Sequence, residues 1–243
     1  MFYTHFNLSQ IQIEAFSIES SYAEQWGLVK IKVKNRASFP RYLVKVRFQS
    51  SSAYKIEELI IPLLPAGETL EFTQEIKLFR RGAQVLRRVE LSTTFPFSFF
   101  RTFTYFHYQY KFYIYPKPLH FQYDLSQIES IEIDPDDDNL NLQPFRHGDS
   151  YRHIHWKKFA LNETLLIKEM EQSQGKDFLV RADELVGAFP IEQQLSYLAY
   201  LVSDLMSKGF YFGLIYRDYN FEPSRDKEQV KKILEKLSVV GLS

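Results

Sequence analysis

The chain of 243 residues contains no cysteine. That excludes disulfides, a thiolate nucleophile and Cys-ligated zinc or iron–sulfur sites. Long apolar runs are missing too. No stretch approaches the roughly 18 residues a membrane span needs. The opening MFYTHFNLSQ lacks the apolar core of a signal peptide, so the chain as it stands is expected to be soluble. Net charge is also absent, with 30 Lys and Arg against 30 Asp and Glu. The balance conceals an asymmetry. Residues 1–118 carry 16 basic against 9 acidic side chains, and residues 119–243 carry 14 against 21. A basic first part is suited to an anionic membrane surface or to nucleic acid. Two halves that complement each other across an interface explain the same numbers.

The length suffices for one large or two ordinary domains, with a full core and no need of staples. Aromatic residues are plentiful at 16%, with 22 Phe and 16 Tyr, which favours a β-rich component. Residues 10–115 bear this pattern. Val29, Ile31 and Val33 alternate with Lys30, Lys32 and Lys34. After NRASFP, Val44, Val46 and Phe48 alternate with Lys45 and Arg47, which reads as the pairing mate of the first strand. Leu70, Phe72, Ile76 and Leu78 repeat the period, as do Val89 and Leu91, and then Phe112 and Ile114. About seven such strands without a convincing helix predict an antiparallel sandwich of immunoglobulin-like size. The lysine-lined faces would discourage edge pairing.

Two clusters stand out in this part. Arg80, Arg81, Arg87 and Arg88 surround Gly82 and read as a solvated hairpin end, with phosphate or nucleic-acid binding as the rival. The run Phe95-Pro96-Phe97-Ser98-Phe99-Phe100 reads as buried core or inter-domain packing.

Two prolines within 116–124 mark a domain boundary. A strand over 128–133 follows. Asp134, Asp136, Asp137 and Asp138 come next, without the Gly that a calcium loop needs for its sharp turn, and read as a solvated loop. The remaining pattern is α/β. Strands are expected at 165–167, 178–182 and 210–216. Pro190 opens a helix in which Ile191, Leu195, Leu198, Val202 and Leu205 share a face, and Gly209 closes it. A second amphipathic helix is expected over 225–237. Strands alternating with helices imply a partly parallel sheet covered by helices.

The densest chemistry lies between Pro144 and Glu169. Arg146, Asp149, Arg152, His153, His155, Trp156, Lys157 and Lys158 fall within thirteen residues. Asp149 or Ser150 can cap a helix over 151–160, on which Asp149 reaches Arg152 or His153 and Arg152 stacks on Trp156. An acid–base reading is available, in which Asp149 orients His153 or His155 as in a hydrolase. A nucleophile and a metal set are both missing, so no catalytic, cofactor or metal residues are assigned. The better reading is a set of mutually satisfied polar groups that specify packing or meet a partner.

The order Arg146-x-Gly148-Asp149-Ser150-x-Arg152-x-Ile154-His155-Trp156-Lys157, followed by Leu166-x-Lys168-Glu169, resembles the signature of the bacterial family called domain of unknown function 58. Arg81-Gly82, the segment Pro96-Phe97-Ser98-Phe99-Phe100 and Tyr115-Pro116 resemble further family features, with Ser98 where the family has Gly.

The resemblance implies a two-domain α+β chain. An N-terminal antiparallel β-sandwich over 1–118 would be followed by a von Willebrand factor A-like α/β domain over 119–243 that carries the motif. It implies membrane-spanning helices before a segment like MFYTHFNL, and so a place on the cytoplasmic side of the inner membrane, or in the cytoplasm without them. It implies a MoxR-type AAA+ ATPase as partner, and a transglutaminase-like membrane protein as another. It also leads to a non-enzymatic interaction module as the expected function, with no nucleic acid bound. One departure bears on metal: Asp183 is followed by Glu184, Leu185, Val186 and Gly187, without the serines of a metal-dependent adhesion site.

Overall fold

A computed structural model describes residues 2–125, 128–131, 142–144, 166–168 and 177–242. By their contacts the residues form two compact units. The first comprises Met1–Phe121, Val186–Ser203 and Lys227–Ser243, and the second Gln122–Leu185 and Asp204–Asp226.

The first unit opens with a short helix, α1 (Phe2–Leu8), which the strand-dominated pattern did not announce. Nine strands follow: β1 (Ile11–Ile18), β2 (Ser21–Tyr22), β3 (Trp26–Asn35), β4 (Arg41–Phe48), β5 (Tyr54–Ile56), β6 (Leu59–Leu64), β7 (Thr69–Leu78), β8 (Gly82–Thr93) and β9 (Thr102–Tyr115). They form two sheets, β1-β3-β7-β5 and β2-β9-β8-β4-β6. One shared core joins them, with Val29, Ile31 and Val33 from one sheet and Val44, Val46 and Leu91 from the other all fully buried. Each such side chain contributes about 1.5–3 kcal/mol of apolar burial.

The strand predicted to pair with β3 does not do so. β3 lies between β1 and β7, while β4 lies between β6 and β8 in the opposite sheet. Asn35 manages the crossing. Fully buried, it donates from Nδ2 to the carbonyls of Phe39, Leu64 and Pro65 at 2.8–3.1 Å, and its Oδ1 accepts the Ala37 N–H at 3.0 Å. The lysines of β3 therefore sit on an interior strand and guard no edge. They pair with carboxylates of the neighbouring strands, as in Lys32–Glu71 and Lys34–Glu14, both at 3.2 Å.

In the second unit, β10 (Glu129–Ile131), β13 (Asp177–Arg181), β14 (Phe212–Tyr216) and β15 (Tyr219–Ser224) form a sheet in that order. Among the described residues of this sheet β13 and β14 pair in parallel, while β10 and β15 pair antiparallel with them. A separate ribbon pairs β11 (Leu142–Pro144) with β12 (Leu166–Lys168). A one-turn helix, α2 (Ala182–Val186), follows β13. Among the described residues two longer helices follow: α3 (Ile191–Ser207) and α4 (Lys227–Val239).

These helices overturn the expected fold class. The two-domain α+β organisation, with a von Willebrand factor A-like α/β domain after the sandwich, is not what forms. The chain is β-rich, 47% strand against 21% helix, with curled sheets. A doubly wound domain places helices on both faces of a parallel sheet. Here α4 buries Ile233, Leu234 and Leu237 beside β8 and β9, and residues 191–203 of α3 belong to the same first unit. An amphipathic pattern identifies a face to be covered, and it is silent about what covers it. Among the described residues no helix is long and apolar enough to cross a membrane.

Candidate functional site

Of the predicted motif, Arg146, Gly148, Asp149, Ser150, Arg152, His153, His155, Trp156, Lys157 and Glu169 lie outside the described residues, as do Asp134, Asp136, Asp137 and Asp138. Lys168 is the described member, in β12 and paired with Leu142 across the ribbon. The side chains that can be placed with consequence are at the two ends of the β8–β9 pair, within the first unit.

One end is built on Arg81. The sequence pattern put it in a solvated turn with Arg80, Arg87 and Arg88; instead its side chain is 7% exposed. Nε donates to Oε2 of Glu192 at 2.8 Å and Nη2 to Oε1 at 2.6 Å, a two-point grip on the first turn of α3. Nη1 donates to the Ser238 carbonyl at 2.8 Å, with the Leu237 carbonyl at 3.4 Å. These are among the last carbonyls of α4, which have no partner within the helix and favour a cation. Glu192 stays below the usual carboxylate range, chiefly because it accepts the Arg81 hydrogen bond and also because of the nearby charge, against the opposing pull of burial. Next in the chain, Gly82 adopts φ 134°, and a Cβ there would lie 3.0 Å from Leu242, so the chain beyond α4 rests on it.

Beside this grip is a cleft of about 510 Å³ lined by Glu24, Arg80, Arg81, Lys117, Glu192 and Leu242, among others. Lys117 pairs with Glu24 and Arg81 with Glu192. Of these charged groups, Arg80 has no ion-pair partner among the described residues. Arg87 and Arg88 lie within β8, about 20 Å further along the strand at ~3.3 Å per residue. A bulge there turns both outward, and Arg88 covers the Tyr105 ring at 4.5 Å. The four arginines are thus not one patch.

The other end carries the aromatic run, and it is not buried. The loop 94–101 leaves Phe97 70%, Phe99 86% and Phe100 59% exposed. Phe95 stacks on Tyr42 with ring centroids 5.0 Å apart. Helix α1 is fixed beside this loop. Asn7 donates to the Tyr42 carbonyl at 2.7 Å and to Thr93 at 3.0 Å, and accepts the Tyr42 N–H at 3.0 Å. Arg41 is buried, 2% exposed. It donates to the carbonyl and hydroxyl of Ser9, and its guanidinium lies 4.7 Å from the Phe6 ring centre. Its Nε has no hydrogen-bond partner among the described residues, and burial pulls its pKa down.

In the second unit, Asp183 opens α2 and its Oδ2 accepts the Arg217 N–H at 2.7 Å, tying down the β14–β15 turn. Among the described residues no three His, Asp or Glu side chains converge as a metal site requires. Glu192, Ser238 and Asn7 are the positions that local pattern did not mark. Their partners are 35 to 157 residues away, and each looks in isolation like an ordinary helix residue.

A comparison with known protein families finds no match. No curated protein matches the chain either. Among solved structures, part of the chain is similar to part of trypsin-activated alpha-2-macroglobulin from Escherichia coli, at 10% identity and a TM-score of 0.31. The match covers 52% of this chain and 9% of that one, and a likeness of this size carries no argument about fold or function.

Proposed function

We propose that the chain belongs to the domain of unknown function 58 family and acts as a non-enzymatic interaction module. In this reading it couples a membrane-associated system to a MoxR-type AAA+ ATPase. The observation that carries it is the contrast between the two ends of the β8–β9 pair. One end exposes three phenylalanines that serve no core of their own. The other is a cleft whose charged groups are held in structural pairs, with Arg80 left on its rim. Exposed aromatic clusters of this kind mark contact surfaces. Glu192 is held as a carboxylate by Arg81, which suits recognition and works against a proton-donating role. The run from Arg146 to Glu169 supports the family assignment and supplies the partner-facing candidates Arg152, His155 and Lys157.

The test is a cross-linked pull-down from native lysate, using the chain beside a folded Arg152→Ala, Lys157→Ala variant and a folded Arg80→Ala variant. Recovery of an AAA+ ATPase by the parent, reduced in one variant, supports the reading and locates the contact. Recovery of no protein partner by any bait counts against it.

A further inference from the structure

We propose that the aromatic end of the first unit is a lipid contact: Phe97, Phe99 and Phe100 enter the interface of an anionic bilayer while neighbouring cations meet its phosphates. The proposal rests on the reading of the chain as membrane-associated and names the surface that does the associating.

A tight loop between β8 and β9 has no folding need for three largely exposed phenylalanines. Their burial would come from a surface outside the chain. The same end exposes Phe103 on β9, Phe6 on α1 and Phe39 in the β3–β4 connection, and the last two touch at 6.3 Å between ring centres. Hydrogen bonds from Asn7 and Arg41, and the Phe95–Tyr42 stack, lock α1, β4 and the loop together. The apolar groups are therefore presented as one surface.

Charge then selects the occupant. Residues 1–13, 25–56 and 91–123 contain no Asp or Glu, and they supply α1, the β3–β4 connection and the aromatic loop. Arg36, Arg41, Lys45 and Arg101 all lie within or beside these pieces. Carboxylates near them are engaged: Glu14 pairs with Lys34 and Glu58 with Arg47. Glu90 is bonded to Arg101 and lies 4.0 Å from Arg47, and Glu68 follows the turn whose carbonyls Asn35 holds. The excess is positive. Arg41 adds a buried guanidinium that has no carboxylate partner among the described residues, a charge that a facing anionic surface would compensate. Aromatic rings flanked by Lys and Arg match the interfacial layer of a bilayer, where rings settle among headgroups and cations find phosphate.

The experiment is co-sedimentation of the chain with phosphatidylcholine vesicles, with and without phosphatidylglycerol. A Phe97→Ser, Phe99→Ser, Phe100→Ser variant is run beside it and checked for an unchanged melting temperature. The expected result is binding that needs phosphatidylglycerol and weakens with salt. The triple variant loses at least about tenfold, the factor for burying even one Phe. Arg36→Ala and Lys45→Ala each lose about fivefold, the factor for one cation at an anionic surface. Failure of the parent to bind either vesicle, or equal binding by the folded triple variant, overturns the proposal. So does a dimer in analytical ultracentrifugation that the triple variant abolishes, since the occupant is then a second copy. Recovery of the ATPase without vesicle binding removes the lipid contact alone. Vesicle binding without any protein partner removes the coupling reading instead.

Discussion

Arg81 and Glu192, separated by 111 positions in the chain, are joined by two parallel hydrogen bonds of 2.8 and 2.6 Å. The two partners are unequal. Arg81 has 7% of its side chain exposed and Glu192 68%. Replacing Glu192 by Gln leaves Arg81 its carbonyl acceptors and one side-chain acceptor, though its buried guanidinium loses the counter-charge. Removing Arg81 leaves the buried end of α4 without a donor. Glu192 is itself 68% exposed and Gln keeps an acceptor, so Glu192→Gln is expected to cost about 1 kcal/mol. Arg81→Ala is expected to cost about 2–3 kcal/mol, as for a lost charge-assisted hydrogen bond with buried carbonyls left unpaired. Thermal or urea unfolding of the two variants measures the difference, and equal losses would refute the assignment.

The same pair gives a pH dependence. The folded-state pKa of Glu192 lies below its ordinary 4.5, first because of the hydrogen bond from Arg81. A depressed carboxylate contributes stability that is present above its unfolded pKa and lost as pH falls through the folded one. The parent is thus expected to be more stable than Glu192→Gln at neutral pH. The gap should close as the medium is acidified below the usual carboxylate range. The exposure of Glu192 keeps the gap small. Melting temperatures of both proteins from pH 7 downward test this, and a gap that widens on acidification would contradict it.

Asn35 offers a sharper test of the core. Its amide faces three carbonyls and its oxygen faces one N–H, all at 2.8–3.1 Å, and Asn35 itself is fully buried. Asn35→Ala removes these bonds and is expected to destabilise by about 2–4 kcal/mol. Asn35→Asp keeps the shape but turns the donor into an oxygen facing three oxygens. It is expected to be worse than Ala, with loss of the folded state at neutral pH and partial recovery on acidification. Far-ultraviolet circular dichroism of the two variants across pH decides the order.

How much of this was legible in the residues depends on the range over which each signal acts. The alternation at Val29, Ile31 and Val33 is local, and β3 appears there with those three residues buried. Pro190 and Gly209 are local as well, and α3 runs between them, with Gly209 at φ 74°. Strand partners are not local: the same alternation serves a hairpin or a crossing between sheets, and Asn35 decides for the crossing. β15 escaped because Asn220, Glu222, Pro223 and Ser224 resemble a loop, yet an edge strand tolerates a proline. The phenylalanines at 97, 99 and 100 point to core or inter-domain packing in the sequence because apolarity indicates what burial is worth and leaves open where it takes place. Arg81 looks solvated in the sequence because Glu192 and the end of α4 reach it only through the tertiary fold.

The aromatic loop holds one more test, which concerns its backbone. Ser98 has φ 61°, the left-handed region, and its N–H donates to the Thr94 carbonyl at 2.8 Å to close the turn. An L-residue with a Cβ is strained there by about 1–2 kcal/mol, and glycine is not. Glycine also gains more freedom in the unfolded chain, which offsets about 0.5–1 kcal/mol. Ser98→Gly is therefore expected to stabilise the protein, by at most about 1 kcal/mol, without changing the exposed rings on either side. Ser98→Val, whose β-branch is least tolerant of positive φ, is expected to destabilise by more than that. Urea unfolding of the pair gives the answer: a destabilising glycine, or a neutral valine, would show that residue 98 does not hold this conformation in solution.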